Sequence, residues 1–436
     1  MRLLRASLAF GLVTLACGKS DPPPSDEPQV DPSCIVEGTP AKHDIVGEWL
    51  DVEIPGAVCA DGSPYRIFVK YTASSHDLAI TFEGGGACWD YETCSGARGQ
   101  RGAANLNGIA PDHMTALPPP LGDNPDAKPW GLLQPHLGQV DPDVATSDFH
   151  QVFFPYCTGD VFAGDVSVEY ENPDGEPLVM EHRGRANVKA ALPWIRDEFP
   201  EIGRLLITGC SAGGVGSLIN YSLLRSELEP LCGFGLDDSG PLMSEAGFSG
   251  LMLNQVRETW SLDGLLEELD GELGAPAEEG TKSDMGHLLP LLSRAYADDR
   301  FLVTLFGRDL NFSLFSYQLF YDDPPDEEVF RMWSDDTTAL RGQIDELDNV
   351  GYFMPAFRPD NCSHCLSLIP VNQLEVPGYS GRLLQGKADV YLGTELDDAR
   401  FDDALEALLT TEPLPRAVET PTTEDAFSSE ESLACR

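Results

Sequence analysis

One short stretch of the sequence carries the residue types that nucleophilic catalysis needs. Residues 209–213 read Gly-Cys-Ser-Ala-Gly and fit the pattern G-x-S-x-G, in which a serine sits on a tight turn between a strand and a helix. The apolar run 205–207 before the turn has no helical period and predicts a buried strand. Glycine on either side of Ser211 leaves room for the crossing strand and helix. The stretch therefore predicts a nucleophilic Ser211, with an ordinary Gly-Ser loop as the alternative.

A serine nucleophile needs a base, and the chain order limits which histidine can serve. In α/β-hydrolases the nucleophile comes first, the acid second and the histidine last. Seven of the eight histidines lie before residue 300, and only His364 lies beyond any candidate acid. Asp238 is one candidate acid, because the apolar run 233–236 before it predicts a strand of the parallel sheet. The sequence thus predicts His364 as the base.

A glycine run upstream of the elbow suits a second part of such a site. Residues 77–82 predict an apolar strand, and Gly84, Gly85 and Gly86 follow it. Consecutive glycines let bare backbone N–H groups approach a ligand, which is what an oxyanion loop requires. A flexible hairpin turn is the alternative.

The elements around these residues predict an α/β fold with a mostly parallel central sheet, helices on both faces and long loop insertions. Residues 65–71 and 151–156 read as strands, and 185–199 as an amphipathic helix packed on the sheet. The Gly-, Pro-, Asn- and Asp-rich stretch 95–148 predicts a long loop that borders the site. The aromatic run 311–321 is expected to lie mostly in the core.

The two ends of the chain differ in composition from its middle. Residues 1–17 read as an export signal of lipoprotein type, with Cys17 as the lipidation candidate; an ordinary signal peptide is the alternative. Residues 18–33 form a Pro- and Asp-rich tether, and 412–436 an acidic tail expected to be disordered. The catalytic domain is therefore expected over 34–411, in a protein exported and held at the cell surface or in the periplasm.

The cysteine count agrees with export. Setting Cys17 aside, ten of the 11 cysteines remain, an even number that favours disulfides. Two pairings are candidates, Cys88 with Cys94 as a local loop and Cys34 with Cys59 as an N-terminal clip. The run 362–365, Cys-Ser-His-Cys, raises a zinc site as an alternative, but no second Cys/His pair of similar spacing accompanies it.

The charge balance excludes one class of partner. The formal net charge is −44, from 72 acidic and 28 basic residues. Without basic stripes such a surface repels nucleic acid. It also disfavours densely charged polysaccharide substrates, unless Arg98 and Arg101 form a local basic patch.

Several separated motifs resemble the pectin acetylesterase and Notum family of α/β-hydrolases. The resemblance spans roughly residues 45–410. The motifs that carry it are Phe82-Glu83-Gly84-Gly85-Gly86-Ala87-Cys88, Pro155-Tyr156-Cys157, Gly209-Cys210-Ser211-Ala212-Gly213-Gly214, Asp238-Ser239-Gly240, Tyr321-Asp322 and Asn361-Cys362-Ser363-His364.

The resemblance implies a role for each matched position. Ser211 is the nucleophile, His364 the base and Asp322 the orienting acid, although Asp323-Pro324-Pro325-Asp326 departs from the family pattern and leaves Asp323 open. The remaining positions are an oxyanion hole from the N–H groups of Gly85, Gly86 and Ala212, and pocket-lining Trp89, Asp160, Asp238 and Ser239. No metal or other cofactor is required.

The function expected from these features is hydrolysis of short acyl esters, such as acetyl groups on a carbohydrate, through an acyl-enzyme. A lipid or protein O-deacylase of Notum type is an alternative that would need a deep apolar tunnel. An inactive glycan-binding surface protein is a third possibility. We expect a monomer that contacts membranes only through an N-terminal lipid.

Overall fold

A computed structural model describes residues 29–40, 42–97, 102–114, 145–173, 175–358, 360–368, 375–376 and 399–420. Within these residues, nine strands form a central sheet; in the order of the sheet they begin at residues 49, 64, 150, 78, 204, 232, 300, 350 and 416. The last seven in this order pair in parallel, and the first two add an antiparallel edge. The predicted α/β fold with a mostly parallel sheet is confirmed.

The strands are β1 (Trp49–Val58), β2 (Pro64–Lys70), β3 (Leu78–Phe82), β4 (His150–Phe154), β5 (Val166–Tyr170), β6 (Leu178–His182), β7 (Arg204–Cys210), β8 (Cys232–Asp238), β9 (Arg300–Thr304), β10 (Val350–Met354), β11 (Glu375–Val376), β12 (Ala399–Arg400) and β13 (Arg416–Val418). β5 with β6, and β11 with β12, form separate antiparallel pairs.

The α-helices are α1 (Tyr91–Cys94), α2 (Gly184–Glu198), α3 (Ala212–Ile219), α4 (Tyr221–Leu228), α5 (Gly250–Thr259), α6 (Asp263–Glu272), α7 (Leu288–Ala295), α8 (Leu310–Ser313), α9 (Asp326–Ile344) and α10 (Phe401–Leu409). A π-helical turn, Leu314–Gln318, continues α8. Short 3-10 turns lie at Pro32–Cys34, Met285–His287, Asp360–Ser363 and Leu366–Leu368.

The central strands are apolar throughout because helices cover both faces of the sheet. On β7, Leu205 and Ile207 belong to the larger core, whereas Leu206 faces the smaller core on the other side. Helix α2 supplies Val188 and Ile195 to the larger core, and α10 covers the opposite face. Side chains alternate across a strand, so a run buried on both faces is continuously hydrophobic.

One predicted boundary is wrong. The acidic composition predicts disorder from residue 412 onwards, but Arg416–Val418 form β13 and pair in parallel with β10. The Glu419 carboxylate also accepts the N–H of Ala356 at 2.8 Å. The N–H and C=O groups at the edge of β10 gain hydrogen-bond partners from this strand. This gain stabilises the ordered strand even though the tail is polar. Residues 421–436, like 1–28 with Cys17, lie outside the described residues, so the rest of the predicted domain division stays a prediction.

Four disulfides join described cysteines. Cys88–Cys94 confirms the predicted local loop. The predicted Cys34–Cys59 clip is wrong, because Cys34 pairs with Cys232 and Cys59 with Cys157. The sheet brings these partners together from 198 and 98 residues away, a proximity that sequence spacing does not reveal. The fourth disulfide, Cys210–Cys365, lies at the candidate site.

The helices of the described residues are short or carry many polar side chains. None of them combines the length and the apolar character that a membrane crossing requires.

Candidate active site

Ser211 sits on the turn between β7 and α3, as the sequence predicts. Its backbone has φ 57° and ψ −121°, a left-handed conformation that is costly for a residue with a side chain. A Cβ on Gly209 or Gly213 would collide with backbone, in both cases including the carbonyl of Phe82 on neighbouring β3. The two glycines therefore permit the close crossing that the sharp turn requires.

His364 lies between two short 3-10 turns, and a buried carboxylate orients its ring. Nδ1 of His364 lies 2.7 Å from Oδ2 of Asp309. Both side chains are almost completely buried. The other oxygen of Asp309 accepts the N–H of Phe312 at 2.8 Å and caps α8. Asp309 is thus held in place by a helix start while it receives the imidazole N–H.

The predicted acid, Asp322, is wrong on this geometry. Asp322 and Asp323 are exposed and form a left-handed turn, with φ 52° and 51°. Asp323 accepts a hydrogen bond from Gln318 at 2.8 Å. The helical segment 310–318 separates this turn from Asp309, so the family motif identified the region but not the residue.

A signal for Asp309 was present in the sequence. The apolar run 301–306 predicts a buried strand, and Asp309 follows it immediately before a helix. An acid just beyond the carboxyl end of a parallel strand is where this fold presents site residues. The position also lies between Ser211 and His364 in the chain, as the required order demands.

The charges around His364 favour its protonated form. Burial by itself lowers the pKa of His364, but the charge and hydrogen bond of Asp309, and then the charge of Asp238, outweigh it. The pKa of His364 therefore lies above its ordinary value. With Nδ1–H donating to Asp309, Nε2 is left as the proton acceptor.

The glycine loop and the elbow present backbone to one cavity. Gly86, Ala87, Ser211, Ala212 and His364 all line it. Within the described residues, the N–H groups of Gly86 and Ala87 donate to no protein atom. Ala212 is the first residue of α3, where a backbone N–H has no partner within the helix.

Gly85 differs from the other predicted oxyanion residues. It does not belong to the cavity lining. It has φ 145°, and a Cβ there would lie 2.8 Å from the Cβ of Ala104. Gly85 therefore permits close packing between the glycine loop and residues 102–114. The lining pairs Gly86 with Ala87, and the oxyanion role of Gly85 stays a prediction.

The cavity beside Ser211 is strongly apolar. It holds about 780 Å³ of space between the atoms, part of it open to solvent. Among the described residues, its lining has no Lys, Arg, Asp or Glu. The apolar lining residues beyond the elbow are Val161, Val215, Ile219, Pro241, Leu242, Met252, Leu253, Val256, Trp260, Leu262, Met285, Phe312 and Phe315.

The four residues predicted to line the pocket lie behind its wall instead. Trp89 packs edge-on against the lining residue Phe315, with ring centroids 5.1 Å apart. Asp160 is fully buried and accepts the N–H groups of Gly164 and Gly184. Asp238 and Ser239 are fully buried at the end of β8. These polar groups satisfy backbone donors, which explains why the apolar cavity excludes them.

A disulfide joins the two halves of the site. Cys210 precedes Ser211, Cys365 follows His364, and their Cα atoms lie 5.6 Å apart. The bond closes a sequence separation of 155 residues. It therefore holds the elbow and the histidine segment side by side. Spacing along the chain does not predict this pairing.

The cysteines near the site do not offer metal-binding thiolates. Within the described residues, two groups of three potential ligands occur, Cys88-Cys94-His182 and Cys210-His364-Cys365. In each group both cysteines form a disulfide, and metals bind the thiolate. The zinc alternative therefore lacks the Cys365 ligand.

Comparison with known proteins supports the family resemblance. Residues 136–270 match the family model described as Pectinacetylesterase. Pectin acetylesterase 4 of Arabidopsis thaliana is 30% identical over 183 residues, which are 40% of this chain and 38% of that protein. The predicted resemblance is confirmed.

Notum proteins match as well. Palmitoleoyl-protein carboxylesterase notum2 of Xenopus laevis is 28% identical over 39% of this chain and 31% of its own length. Palmitoleoyl-protein carboxylesterase NOTUM of Homo sapiens is 27% identical over 42% and 34%. The matched segments thus span about a third of the length of these relatives.

Proposed function

We propose that this chain, which resembles the pectin acetylesterases and Notum proteins over residues 136–270 and beyond, is a serine carboxylic-ester hydrolase. The observation that carries the proposal is the meeting of Ser211 and His364 in one cavity, with Asp309 hydrogen-bonded to His364 at 2.7 Å. Asp309 takes the acid role in place of Asp322.

The mechanism follows from the roles of these groups. Ser211 Oγ attacks the ester carbonyl while Nε2 of His364 takes its proton, and Asp309 stabilises the imidazolium that forms. The N–H groups of Gly86 and Ala212 receive the oxyanion, with Ala87 as a neighbouring donor. Each donor of this kind contributes about a hundredfold in rate or more. The alcohol then leaves with the proton, and water hydrolyses the acyl-enzyme.

The character of the cavity favours an acyl chain longer than acetyl. Aliphatic and aromatic side chains such as Leu253, Val256 and Phe315 gain little from a two-carbon group. Each buried methylene contributes about 0.8 kcal/mol, so an extended chain that fills the cavity binds more tightly. The cavity therefore best supports hydrolysis of esters that carry a longer acyl chain.

Deacetylation of a carbohydrate is the second candidate, and one specific observation favours it. The family model matched over residues 136–270 is that of the pectinacetylesterases, and the Arabidopsis relative is named a pectin acetylesterase. In this case the acetyl group would occupy only the part of the cavity beside Ser211 and leave the rest of the apolar lining without contact.

Initial rates on p-nitrophenyl acetate, octanoate and palmitate separate the candidates. We expect kcat/KM to rise from acetate to octanoate, because the added methylenes contact the apolar lining. Ser211→Ala abolishes turnover of every ester, whereas Ser226→Ala, at an exposed serine on α4, leaves it unchanged.

Two outcomes contradict parts of the proposal. A rate that is highest on acetate and falls with chain length favours carbohydrate deacetylation. An absence of turnover on every ester, together with release of no acetate from acetylated polysaccharides, contradicts the hydrolase itself and favours the inactive glycan-binding alternative.

Export is the location that the disulfides support. Disulfides persist in oxidising compartments and are rare in the cytosol, and four join described cysteines here. We propose further that Cys17 carries a lipid that holds the enzyme at a membrane surface, and that the enzyme is monomeric. Globomycin-sensitive processing and loss of membrane association in Cys17→Ser test the anchor.

A further inference from the structure

Asp238, at the end of β8, contacts both halves of the candidate active site. Its backbone carbonyl accepts the N–H of Ser211 at 2.8 Å. Its Oδ1 accepts the N–H of Leu366 and its Oδ2 that of Ser367, each at 2.9 Å. These two residues follow His364 and Cys365 directly. One residue therefore holds the turn of the nucleophile and the segment that carries the base.

Residues 362–365, the segment that carries His364, need such support because their backbone is strained. Cys362, Ser363 and Cys365 have φ angles of 59°, 50° and 58°. A non-glycine residue in this region costs on the order of 1–3 kcal/mol and persists only where its surroundings hold it. The contacts that hold this segment include the Asp238 carboxylate, the Ser239 hydroxyl that accepts the N–H of Cys365 at 3.0 Å, and the disulfide to Cys210.

We propose that Asp238 is a positioning residue for ester hydrolysis, which fixes the segment after His364 so that the imidazole faces Ser211. The inference rests on the proposed function and deepens it. It assigns a role to a buried carboxylate that lies behind the cavity wall and outside the His364–Asp309 pair.

Several hydrogen-bond donors converge on the buried carboxylate of Asp238. Besides the two backbone N–H groups, Thr304 Oγ1 donates to Oδ1 at 3.0 Å, and Ser239 Oγ lies 3.3 Å away. Burial raises the pKa of Asp238 above its ordinary value, and the donors from Leu366, Ser367 and Thr304 offset only part of this rise. The charged groups that raise the pKa of His364 are Asp309 and, more weakly, Asp238. Removal of the Asp238 charge should therefore lower the pKa of His364, which a pH profile of activity detects.

The test compares kcat, KM and pH profiles of wild type and Asp238→Asn on the best p-nitrophenyl ester. The amide keeps one acceptor but places an NH₂ group against the second backbone N–H, and it removes the charge. We expect kcat to fall about tenfold or more while KM stays within about twofold. The acid limb of kcat/KM moves to lower pH, because His364 loses a neighbouring negative charge.

Asp299→Asn is the matched control. Asp299 is also a buried carboxylate that accepts a backbone N–H, that of Gly233 at 3.0 Å, but it lies at the opposite end of β8. We expect this variant to lower the melting temperature and to leave the acid limb and kcat unchanged within about twofold. If kcat and the acid limb of Asp238→Asn change no more than those of Asp299→Asn, the positioning role is overturned.

A second variant keeps the inference testable if Asp238→Asn does not fold. Ser239→Ala removes only the hydroxyl that accepts the N–H of Cys365, and we expect about a threefold or larger fall in kcat. An unchanged kcat in a folded Ser239→Ala overturns the inference in that case. Wild type that turns over no ester defeats the proposed function instead, so the two failures are distinguishable.

Discussion

At the scale of single residues, the site depends on where carboxylates lie relative to one imidazole. Asp309 is buried, caps α8 and contacts His364, whereas Asp322 is exposed in a turn. A buried carboxylate acts through a medium of low dielectric and so has a much larger effect on the histidine than an exposed one.

Asp309→Asn is therefore expected to reduce kcat by roughly 10³- to 10⁴-fold, as loss of the orienting acid does in serine hydrolases. The pKa of His364 is raised by Asp309, and histidine is a base only above its pKa. Removal of the charge therefore shifts the acid limb of kcat/KM to lower pH. Stopped-flow or steady-state assays across the pH range measure both effects.

Asp322→Asn is the control for this prediction. It changes the acid that the family motif suggested, and we expect its kcat and pH profile to match wild type. A large loss in Asp322→Asn with little loss in Asp309→Asn would contradict the assignment.

At the scale of elements, the residues of the site follow the carboxyl ends of β3, β7, β8 and β9. Buried carboxylates at these ends accept N–H groups from the loops and hold the loops in place. Asp237, beside Asp238, is fully buried and accepts the N–H of Gly240 at 3.0 Å through Oδ1. Within the described residues its Oδ2 has no partner. Burial raises the pKa of Asp237 to about 8, against a lowering by the Gly240 N–H.

This raised pKa makes stability depend on pH. Between about pH 4 and pH 8 the folded state holds a proton on Asp237 that the unfolded chain releases. The stabilisation is complete below the unfolded pKa and is lost as pH rises through the folded pKa. Asp237→Asn removes the titration, so its stability relative to wild type should increase by about 1.4 kcal/mol per pH unit in that window.

Urea unfolding of wild type and Asp237→Asn at several pH values measures this difference. The gap between the two unfolding free energies should widen from pH 4 to pH 8 and then level off. A gap that is constant with pH contradicts the buried protonated carboxyl.

Much of this arrangement was predictable from sequence, and the reasons for the misses are physical. The apolar run 205–207 and the G-x-S-x-G pattern are adjacent in the chain, so the strand and the nucleophile turn can be predicted from local sequence. His364 followed from chain order. The end of a predicted strand marks Asp309 as a candidate acid, but its contact with a histidine 55 residues away is not encoded in local patterns. The same holds for the Cys210–Cys365 disulfide, which joins residues 155 positions apart.

At the scale of the whole molecule, net charge opposes compactness. The chain carries a formal charge of −44, and like charges repel in the folded state more than in the expanded chain. Exposed ion pairs such as Arg331–Asp335 contribute only about 0–1 kcal/mol each. Repulsion should therefore dominate the response to salt.

We expect the melting temperature to rise as sodium chloride increases from about 0.01 M to about 0.15 M, because the screening length falls from about 30 Å to about 8 Å. Sucrose at matched osmolarity separates screening from solute exclusion. A melting temperature that falls with salt, while sucrose raises it, contradicts net repulsion.

The central claim is that Ser211 is a nucleophile activated by His364 and Asp309. Intact-protein mass spectrometry after treatment with diisopropyl fluorophosphate tests it most directly, with peptide mapping of the adduct. The account predicts one adduct on Ser211 in wild type and Asp322→Asn, much slower labelling in Asp309→Asn, and none in Ser211→Ala. Labelling of Ser211→Ala to the same extent as wild type, or no labelling of the folded wild-type protein, would contradict it.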